Sequence, residues 1–109
     1  MRNILLTLSV LVVSFVAYTG SASASGAAWV YKNGGGSVPN RYCASTNCPV
    51  ARWVPSNTKI FVICWMDVQY TVGNYGTVRW FRAIAPINGG YDGWVHASYV
   101  YYQPVVPRC

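Results

Sequence analysis

The chain has 109 residues, with 8 Lys and Arg against 2 acids for a net charge of +6, and 53% of its residues are hydrophobic and 16% aromatic. That length suits one domain and not two. Two acids and one histidine leave few parts for acid–base catalysis, and basic residues standing singly argue against a nucleic-acid stripe.

In chain order, Arg2 precedes a nearly unbroken apolar run over residues 4–17, and Ala22-Ser23-Ala24 then has a small-x-small form. This is the three-part layout of a secretory signal peptide, with cleavage expected after Ala24. The apolar run is shorter than the roughly 20 residues a membrane span needs, so contact with a membrane is expected only during export. Residues 25–40 read as a flexible lead-in. Within it, 29–31 form at most a short added strand, because the glycine run at 34–36 has much backbone freedom to lose.

From Arg41 onward aromatic and β-branched residues dominate between turn residues, and helical periodicity is absent. Strands are expected at 50–54, 59–65, 68–72, 77–85 and from Gly93. The 59–65 strand sends Ile60, Val62 and Cys64 one way and Phe61, Ile63 and Trp65 the other, which predicts a central strand covered on both faces. In 77–85, Val78, Trp80 and Arg82 alternate with Arg79, Phe81 and Ala83. Turns are expected at 73–76 and 86–90, the latter with the hairpin signal Asn88-Gly89. Residues 97–100 read as a one-turn connection before a tail containing Pro104 and Pro107. The sum is an all-β domain, a small barrel of five to six short strands over residues 41–109.

All four cysteines follow the leader, at Cys43, Cys48, Cys64 and Cys109. An exported chain with an even count is expected to form two disulfides. Three pairings are possible. The favoured one joins Cys43 to Cys48 across Ala-Ser-Thr-Asn, and Cys64 to Cys109, pinning the tail to the central strand. In the loop-entropy model the long closure contributes about 4 kcal/mol and the short one about 2 kcal/mol. A zinc site from these thiols and His96 is not expected, since there are no paired C-x2-C knuckles.

The residues from Arg41 to Val100 resemble bacterial SH3-like (SH3b-type) domains, particularly the secreted ones of actinobacteria. The resemblance runs through Ser45-Thr46, Pro49-Val50, Pro55 to Thr58, Ile60-x-Val62-x-Cys64, Trp80-x-Arg82-x-Ile84 and, most specifically, Gly93-Trp94-Val95 with Ala97-Ser98-Tyr99-Val100. Asn57 stands where the family carries glycine, a position open to asparagine because it also adopts positive φ. Tyr42-Cys43 replaces a small-Gly-Pro stretch, and residues 65–77 form a longer loop than in minimal members. The resemblance implies an SH3-like barrel and agrees with the Cys64–Cys109 pairing. It also implies a peptide groove, with Tyr42, Tyr70, Tyr75, Tyr91, Trp94 and Tyr99 as its candidate residues.

No catalytic residues and no cofactor are expected. A glycosidase needs two opposed carboxyl groups, and nothing in the sequence brings Asp67 and Asp92 together. A lone histidine without an orienting partner is not a catalytic site, and a cysteine peptidase needs a free thiolate. Binding is better supplied. Beyond the leader, five Trp, eight Tyr and two Phe exceed what a small barrel can bury, and exposed rings suit extended ligands. The expected function is a secreted binding module for cell-wall peptide or another extracellular protein, with no nucleic-acid partner. The alternative is a small basic toxin acting on membranes or rival cells, which would show a clustered cationic-aromatic face. A weaker third reading is an inhibitor that inserts the Cys43–Cys48 loop into an enzyme.

Overall fold

The computed structural model describes residues 25–69, 76–87 and 90–109. The expected leader, most of the 68–76 segment and Asn88-Gly89 lie outside these residues, as do Tyr70 and Tyr75.

The domain is all-β. Its strands are β1 (Gly26–Val30), β2 (Ser37–Arg41), β3 (Val50–Pro55), β4 (Thr58–Asp67), β5 (Arg79–Ala85), β6 (Tyr91–His96) and β7 (Val100–Tyr101). A single turn of 3-10 helix at Ala97–Tyr99 joins the last two, where a one-turn connection was expected. The strands form one antiparallel sheet in the order β3-β2-β6-β5-β4-β1-β7. Among the described residues β3 and β7 are its two edges, and the sheet does not close into a barrel.

Residues 25–40 differ from the expected lead-in, because they supply two full strands. Val38, Pro39 and Asn40 of β2 are buried, and β1 lies between β4 and β7. The glycine run is the turn that reverses the chain: Gly34 and Gly35 take φ of 89° and 83°, and Gly35 N–H donates to Lys32 O at 2.8 Å. Conformational freedom read as flexibility here serves a tight reversal. Pro39 is tolerated because β2 meets β6 only at Arg41, leaving that side little ladder for a missing N–H to break. The expected strand at 68–72 is also not seen where it is described, since Val68 and Gln69 lie outside any strand.

β4 buries Ile60, Val62 and Cys64 as its alternation predicts. Its other face is not fully covered: Phe61 is 41% exposed, while Trp65 lies beneath the guanidinium groups of Arg79 and Arg108, 3.9 and 5.6 Å from its ring centre. In β5, Phe81, Ala83 and Ala85 face the core and Arg82 and Ile84 face solvent. Trp80 shares the phase of Arg82 yet is buried, edge-on to His96 at 5.1 Å.

One cluster of buried side chains draws on all seven strands: Ala28, Val30, Val38, Val54, Ile60, Val62, Phe81, Ala83, Ala85, Val95 and Val100, with Ala97 and Val106. A single sheet can place residues from every strand in one cluster only by curling around it. Apart from Phe81 these side chains are aliphatic, and among the described Trp, Tyr and Phe rings only Trp80 and Phe81 are buried.

Both disulfides form as favoured. Cys43–Cys48 spans 5.8 Å between Cα atoms and Cys64–Cys109 spans 4.9 Å. The second is one part of a larger clasp. Pro107 O accepts from Trp65 N–H at 3.1 Å, and Cys109 N–H donates to Trp65 O at 2.8 Å, which seats Val106 in the core. Asn57 occupies the two-residue β3–β4 turn at φ 71°, the left-handed conformation expected of it.

Candidate functional site

Among the described residues, the sequence-expected groove residues do not line one groove. Tyr42, Tyr91 and Trp94 come together over β2, β6 and β5. Tyr99 lies by β1 and β7, with β4 intervening in the sheet.

The β1–β7 surface grows from a repeated triplet. Trp29-Val30-Tyr31 and Tyr99-Val100-Tyr101 are each aromatic–valine–aromatic. They pair antiparallel with Val30 opposite Val100 and Trp29 opposite Tyr101, and Tyr31 N–H donates to Tyr99 O at 2.9 Å. Alternation then buries both valines and sends the rings to the other face. Two adjoining depressions result, of about 290 and 270 Å³, and Tyr31 and Tyr101 line both. The first also takes Trp29, Asn57 and Tyr102; the second takes Lys32, Asn33, Ser98 and Tyr99.

Edge-to-face contacts stiffen this trough: Trp29 with Tyr102 at 6.0 Å, and Tyr31 with Tyr101 at 5.9 Å between ring centres. Tyr102 is 82% exposed and sits at φ 57°, a left-handed conformation costing about 1 kcal/mol or more for a bulky residue. Lys59 Nζ lies 5.7 Å from the ring centres of both Trp29 and Phe61. The trough is therefore apolar with a cationic rim.

The second surface is a shallow depression of about 340 Å³ lined by Tyr42, Arg82, Asp92, Gly93 and Trp94. Arg82 Nε contacts both Asp92 oxygens at 3.1 Å, and Nη2 donates to Oδ2 at 2.6 Å. The Asp92 hydrogen bond raises the Arg82 pKa further above its ordinary value. Tyr42 meets Tyr91 edge-on at 6.2 Å, and Arg52 stacks over Tyr91 at 4.6 Å. A hydrogen bond with Tyr42, helped by desolvation, pushes the Tyr91 phenol up. Gly93 holds the floor: a side chain there would collide with the buried Asn40 amide and approach Arg41 O at 2.9 Å.

His96 is 4% exposed. Thr77 O, 3.0 Å from Nε2, can only accept, so Nε2 carries the proton and Nδ1 accepts from Ser98. Desolvation lowers its pKa, opposed in part by the Thr77 hydrogen bond. Both nitrogens are engaged in structure, which leaves neither to meet a substrate. Asp67 is paired with Arg79, whose hydrogen bond lowers its pKa. Among the described residues no group of three His, Cys, Asp or Glu could hold a metal ion, and no helix is long and apolar enough to cross a membrane.

The trough residues Trp29, Tyr31, Tyr101 and Tyr102 were missed by sequence reasoning as binding residues. The signal was available in the paired triplets, and it was masked by treating 25–40 as a lead-in. Comparison with family models, curated proteins and solved structures finds no match.

Proposed function

We propose that this chain is a secreted, non-catalytic binding module of the SH3-like kind that takes an extended peptide from the cell wall or from another extracellular protein. The observation that carries this reading is the paired aromatic triplet at β1–β7. It offers a preformed run of rings, long and shallow, with low entropy cost on binding. Its cationic rim of Lys32 and Lys59 suits a peptide bearing carboxylates. Two disulfides are consistent with an oxidising compartment, in keeping with the apolar leader. The single 3-10 turn at Ala97–Tyr99 lies within the segment that carries the resemblance, and the curled sheet is compatible with an SH3-like architecture. Engagement of His96, Asp67 and Asp92 within the fold supports the non-catalytic part of the reading.

The test is titration of the oxidised protein, lacking residues 1–24, with carboxylate-bearing wall stem peptides, followed by tryptophan fluorescence. Saturable quenching that Tyr101→Ala weakens about tenfold supports the reading, since one buried aromatic contact is commonly worth that much. Absence of binding to any wall peptide moves the ligand to an extracellular protein. Dye leakage from anionic vesicles at low protein concentration would overturn the module in favour of a membrane-acting toxin.

A further inference from the structure

We infer that the depression between Tyr42 and Trp94 is a separate binding site, and that its ligand is a neutral saccharide. Three features on the outer face of β5 and β6 converge there. Trp94 and Tyr42 offer ring surface to solvent, Tyr42 being 59% exposed. The Arg82–Asp92 pair lines the same depression, with both side chains partly open to water at 47% and 42%. Gly93 lines the depression with its backbone, its Cβ direction pointing inward at the buried Asn40 amide.

The charge arrangement selects the ligand class. Arg82 is matched by Asp92 through three contacts of 2.6–3.1 Å, so an anionic ligand would have to displace a carboxylate already in place. A cation meets the same obstacle from Arg82. A neutral polyol meets neither. Its hydroxyl groups both donate and accept, which answers a surface holding guanidinium N–H donors beside carboxylate acceptors. A pyranose also has one face of C–H groups, which lies against an aromatic ring much as other apolar surface does. Rings sharing a depression with a self-neutralised ion pair therefore fit a sugar better than a peptide.

The trough differs in charge, having Lys32 and no acid among its lining residues. This inference does not rest on the peptide reading of the trough, and either can fail alone.

The experiment is a nitrogen-15 NMR titration of the oxidised protein with neutral tetrasaccharides of β-1,4-linked N-acetylglucosamine, β-1,4-linked glucose and mannose, and with an acidic tetragalacturonate. One neutral sugar should give saturable shifts at the Trp94 indole and Arg82 Nε, with the Trp29 indole unmoved. Tyr42→Ala removes an exposed ring and should weaken that binding about tenfold without unfolding the domain. Asp92→Asn frees Arg82, so the neutral sugar should weaken and the acidic one should gain. Shifts centred on Trp29, no saturable shift with any neutral sugar, or equal binding by Tyr42→Ala would each overturn the proposal.

Discussion

The β1–β7 trough and the Tyr42–Trp94 depression use the same aromatic residue types on the same sheet, yet they present different chemistry. The trough has rings and lysines; the depression has rings and a closed ion pair. With only two acids in the sequence, the position of each decides the character of its neighbourhood. Asp67 neutralises Arg79 beside Trp65, Asp92 neutralises Arg82 beside Trp94, and the trough is left cationic. The two surfaces also differ in how they are held. The trough joins an early strand to the last one and leans on the Cys64–Cys109 clasp, whereas the depression is built from mid-chain strands next to the Cys43–Cys48 loop.

The largest effect should come from breaking the clasp. Paired serine replacement of Cys64 and Cys109 should cost about 4 kcal/mol, read as a fall in the urea midpoint. Trough resonances should broaden at lower urea than those of Trp94, because the clasp seats Val106 and the tail that follows β7. Gly93→Ala comes next. Collision with Asn40 and with the Arg41 backbone should cost about 1–3 kcal/mol, and the depression should be disturbed before the trough. Serine replacement of Cys43 and Cys48 should cost about 2 kcal/mol, with peptide affinity at the trough unchanged.

Acid should give a smaller change through His96, whose ring lies edge-on to the buried Trp80 and to Tyr99 of the trough. The folded-state pKa of His96 lies below its ordinary 6.5, so the unfolded chain binds more protons there. Stability should be full above pH 6.5 and fall as pH drops through the folded value. The melting temperature should therefore decline between pH 7 and pH 5, and His96→Gln should flatten that slope. Asp67 adds a weaker step, present above its ordinary 3.8 and lost below it as protonation breaks the exposed pair with Arg79. Arg79→Gln should remove that step alone.

Sequence patterns read the long, regular pieces well. The Ile60–Val62–Cys64 face, the turn at Asn57, the connection at Ala97–Tyr99 and the short Cys43–Cys48 loop follow from local chemistry, and the structure has each. What was not legible depends on distant partners. Residues 37–41 contain Pro39 and follow three glycines, so nothing local marks them as a strand; they become one by lying along β3 and meeting β6 at Arg41. Trp80 has the phase of a solvent-facing residue and is buried only because His96 lies opposite. Among the described residues, Tyr99 lies apart from Tyr42, Tyr91 and Trp94 for the same reason. Strand order, which puts β4 between Tyr42 and Tyr99, is set by long-range pairing.

The most direct test of the trough is retention of the oxidised protein on purified bacterial cell walls at high salt, comparing wild type with Tyr102→Ala. That residue is 82% exposed, and alanine there removes the ring without touching the core. Retention that survives salt and is lost in the variant is the predicted result, since screening removes charge attraction and leaves the rings. Retention that vanishes with salt, or that the variant keeps in full, would contradict the account.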